Sequence, residues 1–318
     1  MIGRGLFLLV PLLLQSAPTH AQYPNRTLRL VVPFGAGSAN DIVARMIGSP
    51  LSEALGRQVV IDNRPGAGGN IGAELVVHSP ADGYTVMMGN ISHAIAMTLY
   101  HKPGYDLVKD FAPVTQLTSA SFLLAAHPSV PAKSVKALIA LAKAHPGEIN
   151  VATAGAGVYL AAQLFSSMTG IKMTLVSYRS TPQAVTALIG GEVSVGFPAT
   201  SAALPHVGSG KLRGLAVTGA RRVSIVPDLP TVSEAGVPGY EASPWYGLLV
   251  RSGTPAEIIS RLHAESVRVL NRPDVQERSV ATTDFQMIGS TPKEFATYIV
   301  SEVAKWGKIV KATGLRPD

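Results

Sequence analysis

Two glycine-rich turns are the parts of the sequence best suited to bind a ligand, because such turns present backbone amides to an anion. The first turn follows the apolar run Leu28–Val32, which is rich in β-branched residues and predicts a buried strand. Its glycines permit positive φ, and Ser38 followed three residues later by Asp41 matches a capping box that opens a helix. Free N–H groups and the positive end of a helix dipole then converge at one place. We therefore predict anion binding by Phe34, Gly35, Ala36, Gly37, Ser38, Ala39, Asn40 and Asp41.

The same pattern recurs in the middle of the chain. A short strand, Ile149–Thr153, runs into Ala154-Gly155-Ala156-Gly157, and a helix is predicted over Val158–Met168. Two such turns that face each other would suit a ligand with two anionic ends. This turn and the ends of further predicted strands give the remaining candidate ligand-binding residues, namely Asn90, Thr153, Gly155, Ala156, Gly157, Tyr178 and Pro198.

Motifs for catalysis, metals and dinucleotides are absent or incomplete. The sequence has no Gly-x-Ser-x-Gly elbow, no His-Glu-x-x-His and no cysteine, and its 8 histidines are dispersed. In a dinucleotide fingerprint a third glycine would stand where Asn40 stands, although Asp62 could serve as the ribose acid. We therefore predict a protein that is not an enzyme and that needs no cofactor or metal ion.

Strands and helices alternate along the chain, which predicts an α/β fold with mainly parallel sheets flanked by helices. Ligands of such sheets bind beyond the carboxyl ends of the strands, where the glycine turns fall. A length of 318 residues favours two domains. Two extended segments, Val114–Ala126 and Trp245–Val250, are the predicted crossovers. They divide the chain into a discontinuous first domain, 22–124 with 245–318, and a second domain, 125–244.

The first 21 residues have the features of a signal peptide, with Arg4, the apolar run Leu6–Leu14 and the small-x-small pattern Thr19-His20-Ala21. Without cysteine, a lipid anchor at the cleavage site is excluded. We expect a periplasmic protein, monomeric and without a membrane span. The net charge of +7 comes from scattered basic residues, and export argues against a nucleic-acid partner.

Several runs of residues together resemble one known family over nearly the whole predicted mature chain. These runs are Pro33-Phe34 to Asp41 with Ala44-Arg45, Asn63 to Gly72, Asp82-Gly83-Tyr84-Thr85, Lys109 to Val114, Leu215 to Gly219, Leu229 to Gly236 and Lys305-Trp306-Gly307. The chain resembles the periplasmic substrate-binding proteins of tripartite tricarboxylate transporters, the Bug or TctC type. The resemblance implies a two-lobed Venus-flytrap architecture. It also implies a carboxylate held by amides and water in the first turn, contacts from the second turn, and delivery to membrane permease subunits.

The sequence departs from the family pattern at three positions. Ser38 stands where the family usually has glycine, and Tyr159 stands near the place of a histidine in a loop about two residues shorter. Pro198 replaces the acid of a Phe-Asp-Asn run, which removes a partner for an ammonium group. We therefore hypothesise a carboxylate without an amino group, either a di- or tricarboxylate or a larger or aromatic acid. An exported enzyme and a ligand sensor remain alternative functions for the same cleft.

Overall fold

The computed structural model describes residues 23–178, 180–282 and 285–315, so the predicted signal peptide lies outside the described residues. The strands are Leu28–Val32 (β1), Val59–Asn63 (β2), Thr85–Asn90 (β3), Phe111–Ser119 (β4), Leu123–Ala126 (β5), Asn150–Thr153 (β6), Thr174–Ser177 (β7), Val195–Gly196 (β8), Arg213–Val217 (β9), Trp245–Arg251 (β10) and Gln286–Met287 (β11). The helices are Ala39–Leu55 (α1), Asn70–Val77 (α2), Ile91–Leu99 (α3), Val135–Ala144 (α4), Ala156–Thr169 (α5), Thr181–Ile189 (α6), Thr200–Gly208 (α7), Ala256–Leu270 (α8), Pro273–Thr282 (α9) and Pro292–Thr313 (α10). A short 3-10 turn, Ala67–Gly69, precedes α2. Across these described ranges, no helix combines the length and the apolar character needed to cross a membrane.

The strands form two sheets, each with its own helices, which confirms the predicted two-lobed α/β architecture. In the first lobe the strand order is β11-β4-β10-β3-β1-β2, and in the second lobe it is β7-β6-β8-β5-β9. Both sheets are mixed, so the prediction of mainly parallel sheets was wrong. β1, β2 and β3 run parallel, but β10 pairs antiparallel with β3 and β4, and β5 pairs antiparallel with β8 and β9. The chain leaves the first lobe after β4 and returns along β10, so these adjacent strands run in opposite directions. Antiparallel strands of this kind need no crossover helix between them.

The chain passes between the lobes twice, and the two crossovers lie side by side. Ala120 N–H donates to the carbonyl oxygen of Pro244 at 2.8 Å, which joins the crossovers directly. Thr218 Oγ1 accepts from Phe122 N–H at 2.9 Å and donates to the carbonyl oxygen of Ala242 at 2.8 Å. The segment predicted as one extended stretch is therefore β4 and β5, in different sheets. The domain boundaries at 124 and 245 stay predictions.

Helix starts follow local capping chemistry at some positions and not at others. Thr291 and Glu294 form a capping box at the start of α10. Thr254 does not cap α8, because its hydroxyl donates to the carbonyl oxygen of Arg251 at 2.7 Å and the helix begins after Pro255. In α3 the helix follows β3 without a turn, since Asn90 both ends the strand and caps the helix.

The centre of β10 packs against α10 so closely that only glycine fits there. A Cβ added to Gly247 would overlap the ring of Phe295 and lie 2.8 Å from the carbonyl oxygen of Thr115. We expect Gly247→Ala to lower the free energy of unfolding by roughly 1–3 kcal/mol, the usual effect of overpacking. Urea unfolding measures the change. Gly208→Ala is the matched control, because a Cβ at Gly208 meets nothing within 4 Å, and equal destabilisation of the two variants would contradict the prediction.

Candidate functional site

A cavity of about 490 Å³ lies between the lobes, and we call it the interlobe cavity. The first lobe contributes Ala67, Gly68, Leu99, Tyr100 and Leu315, and the second lobe contributes Thr153, Gly155, Ala156, Tyr159, Ser177 and Tyr178. Its volume falls within the range of about 300–1,000 Å³ that is typical of small-molecule sites. Among the described lining residues, none is acidic or basic.

The N terminus of α5 forms one wall of this cavity. Gly155 is the N-cap residue with φ 81° and ψ 161°, and it supplies no side chain to cap the helix. The first backbone bond of the helix runs from Tyr159 N–H to the carbonyl oxygen of Gly155 at 3.2 Å. The amides of Ala156, Gly157 and Val158 therefore have no intrahelical partner, and they can bind an anion. The helix begins two residues before the predicted start, so Gly157 belongs to its first turn rather than to the loop.

In the glycine-rich turn before α2, aromatic rings occupy the space that side chains at Gly68 and Gly69 would fill. A Cβ on Gly68 would lie 2.8 Å from Tyr100 Oη, so Tyr100 occupies space that a side chain would fill. A Cβ on Gly69 would lie 3.0 Å from Phe34 Cζ and 3.1 Å from His93 Nε2. Gly68 and Gly69 also have positive φ, which favours glycine at both positions. Gly68 therefore leaves room for the ring of Tyr100, and both residues line the interlobe cavity.

Hydroxyl groups lie in the same wall as the N terminus of α5. Gln163 Nε2 donates to Tyr159 Oη at 3.2 Å, one helical turn further along α5. Since this hydroxyl accepts from Gln163, its own hydrogen is left to donate into the cavity. Thr153 is buried, and its Oγ1 donates to the carbonyl oxygen of Val176 at 3.3 Å. The wall thus offers both amide and hydroxyl donors.

None of residues 34–41 of the first predicted turn is among the described residues that line the interlobe cavity. Ser38 caps α1 as predicted, with its Oγ accepting from Asp41 N–H at 3.3 Å. The reciprocal half of the capping box was wrong. The Asp41 carboxylate accepts from Gly37 N–H at 2.9 Å and from Arg45 Nε at 2.8 Å. It therefore takes a backbone amide that was predicted to serve a ligand.

Other candidates in the first lobe are divided between exposed and buried positions. Gly35 and Ala36 are exposed, and Ala39 begins α1. Asn40 is buried, and its Oδ1 has no partner among the described residues. The first-turn amides of Ala39 and Asn40 have no intrahelical partner. Phe34 makes an edge contact with His93, 6.1 Å between ring centroids.

Two candidates lie apart from the interlobe cavity. Asn90 is buried as the N-cap of α3, where its Oδ1 accepts from Ser92 N–H at 3.0 Å. Pro198 lines a separate small apolar recess, together with Ala154 and Val158. The structure thus brings together Thr153, Gly155, Ala156 and Tyr178 of the candidate set. Within the described part of the chain, no group of three His, Asp or Glu side chains is arranged to hold a metal ion.

His93 is fully buried beside the glycine-rich turn that precedes α2, and it contacts Phe34 and Tyr105. Burial lowers its pKa from 6.5 to about 4. The folded protein thus favours the neutral imidazole, and its stabilising contribution is complete above pH 6.5. That contribution is lost as the pH falls towards 4, because the unfolded chain takes up a proton first, at up to about 1.4 kcal/mol per pH unit.

We therefore expect urea-unfolding free energies to fall across this acidic range, and His93→Gln to reduce the slope. Replacement of the exposed His101 by glutamine is the control and should leave the parent slope unchanged. A parent slope retained by His93→Gln would contradict this assignment.

Several residues of the cavity were missing from the predicted site. Tyr159 departs from the family pattern in the sequence, and that departure is a usable signal. Tyr100, Leu99 and Leu315 carried no signal, because they reach the cavity only through the packing of α3 and the end of α10.

Comparisons with known proteins agree with this architecture. Residues 43–315 match the family described as tripartite tricarboxylate transporter family receptor. Protein BugT of Bordetella pertussis (strain Tohama I) is 34% identical over 306 residues, which cover 95% of this chain and 94% of BugT. A solved structure of an R. palustris protein with adipate has a TM-score of 0.75 and 35% identity, and it covers 93% of this chain and 100% of its own. MatC from Rhodopseudomonas palustris with bound malate has a TM-score of 0.72 and 32% identity, with 91% and 100% coverage. The chain therefore belongs to the tripartite tricarboxylate transporter receptor family.

Proposed function

We propose that this protein is an extracytoplasmic solute-binding protein that captures a small carboxylate in the interlobe cavity. The observation that carries the proposal is the uncapped N terminus of α5 in the wall of that cavity. Helix amides bind anions through hydrogen bonds and the helix dipole. The lack of acidic groups among the described lining residues also favours an anionic ligand, because no carboxylate there repels it.

The similar proteins support the same ligand chemistry. The R. palustris structure was solved with adipate and MatC with malate, and both molecules are carboxylates. We infer that the protein works in the periplasm as a monomer. There it passes its ligand unchanged to the permease subunits of a tripartite tricarboxylate transporter. The turn at residues 34–41, which is exposed at Gly35 and Ala36, is proposed as a second ligand contact through the amides of Ala39 and Asn40.

Thermal unfolding of the purified mature protein tests this proposal. We would compare mono-, di- and tricarboxylates with their uncharged amides, and record the melting temperature for each. A ligand at 100 times its Kd should stabilise the folded protein by about 2.7 kcal/mol. Recovery of the ligand unchanged would distinguish the binding protein from an enzyme. Stabilisation by the amides and by no carboxylate would overturn the proposal.

A further inference from the structure

We infer that the carboxylate taken by the interlobe cavity carries an aromatic ring, which lies among Tyr100, Tyr159 and Tyr178. This inference rests on the proposed function and names the class of ligand for the same site. The whole chain has 9 tyrosines, and three of them line this one cavity. The three come from both lobes, so aromatic surface faces a ligand from two sides.

Two of these rings are held in place before any ligand arrives. Tyr100 lies over Gly68, whose missing side chain leaves room for the phenol group. Tyr159 is tied to Gln163 along α5. A wall of fixed aromatic rings favours a flat, rigid ligand, because neither partner loses much conformational freedom on binding. Aromatic pairs also gain from offset or edge-to-face contact beyond the area that they bury.

The spacing along α5 matches a carboxylate attached directly to a ring. Tyr159 stands three residues after Ala156, so both lie on the same face of the helix. Long helical side chains lean towards the helix N terminus, which places the ring of Tyr159 over the first turn. The ring of Tyr159 is therefore close enough to contact an aromatic ring whose carboxylate is bound by the amides of Ala156 and Gly157.

The rest of the lining suits an uncharged body. Leu99 and Leu315 supply apolar surface, and Thr153 and Ser177 supply hydroxyl groups. The described lining contains one set of free helix amides, at α5. A carboxylate with a flat apolar body fits such a wall better than one with a flexible aliphatic chain.

Calorimetric titration with four probes tests the inference: benzoate, cyclohexanecarboxylate, adipate and benzamide. Benzoate and cyclohexanecarboxylate share the charge and differ in the flatness of the ring. We expect benzoate to bind at least about tenfold more tightly than cyclohexanecarboxylate and adipate, and benzamide to give no measurable binding. Equal or tighter binding of cyclohexanecarboxylate or adipate would overturn the aromatic inference and leave the proposed function standing. Failure of benzoate to bind would also overturn the aromatic inference, whereas the proposed function is overturned only if the mono-, di- and tricarboxylates of the thermal series fail as well.

Variants locate the preference within the cavity. Tyr159→Leu and Tyr100→Leu should each bring the benzoate and cyclohexanecarboxylate affinities within about threefold of each other, since the aromatic wall is lost. Tyr159→Phe keeps the ring and should keep the preference while losing the hydroxyl donor. Tyr84→Leu is the control, because Tyr84 packs on Tyr23 and Arg26 instead of lining this cavity. A preference unchanged in both leucine variants, with folding verified by melting temperature, would refute the assignment of these rings.

Discussion

Replacement of Ala156 by aspartate is expected to weaken carboxylate binding about a thousandfold without destabilising the fold. Ala156 is the first residue of α5 and lines the interlobe cavity. An acidic side chain in a helix's first turn is stabilising by about 0.3–1 kcal/mol, because it faces the positive end of the dipole. The same charge about 4 Å from a bound carboxylate is repulsive by roughly 4 kcal/mol at an effective dielectric constant of 20.

Ala156→Asn is the matched control, since asparagine has nearly the same size and no charge. We expect it to retain most of the affinity, and the difference between the two variants isolates the electrostatic contribution. Calorimetric titration gives the affinities, and thermal unfolding without ligand gives the stability. If both variants bind like the parent protein, the anion does not lie at the N terminus of α5.

Removal of the buried carboxylate of Glu302 is expected to lower the free energy of unfolding strongly. Its Oε2 accepts from Trp306 Nε1 at 2.9 Å and from Trp245 Nε1 at 3.2 Å, and its Oε1 pairs with Lys305. Both tryptophans are completely buried, so neither indole N–H can turn to water when its acceptor is lost. We expect Glu302→Ala to lower the free energy of unfolding by roughly 3–5 kcal/mol, the usual range for a buried pair that loses one partner.

Glu265 offers a matched control in the same lobe. It is also buried, at 6% exposure, and pairs with Arg261 and Arg268. The side chains of those arginines are 46% and 64% exposed, so they regain water when the carboxylate is removed. Glu265→Ala should therefore cost only about 1 kcal/mol. Denaturant unfolding compares the two variants, and a similar cost for both would show that the buried indoles are not the cause.

The sequence predicted those elements whose signals are local. Ser38 caps its helix as expected, because its side chain and the amide that it binds lie within three residues of each other. The strand directions of the sheets were not predictable in the same way. β10 pairs with β3 and β4, which precede it by more than a hundred residues, and only the folded chain brings them together.

The candidate site likewise has parts that local sequence signals predict and parts that only the folded chain brings together. Gly155 marks the free helix end from its place between β6 and α5, so part of the cavity followed from the sequence. The turn at Gly37 shows the opposite result, since Asp41 is close enough to occupy the amide itself. Tyr100 lies opposite Gly68 only because α3 packs beside the earlier turn, and no spacing in the sequence encodes that contact.

The adjacency of the two crossovers has a consequence for how new binding specificities can arise. The backbone enters the second lobe at Ala120 and returns at Pro244, two residues joined by one hydrogen bond. Topologically, the second lobe is thus an insertion whose two ends meet, and such insertions are well tolerated in proteins. A chimera that receives residues 121–243 from a relative would acquire the donor's helix end and the donor's counterparts of Tyr159 and Tyr178. It would keep Glu302 and both tryptophans, while the donor's backbone would replace the carbonyl oxygen of Glu241 that accepts from Lys305 Nζ. Recombination could thus alter ligand choice while the first lobe keeps its own core.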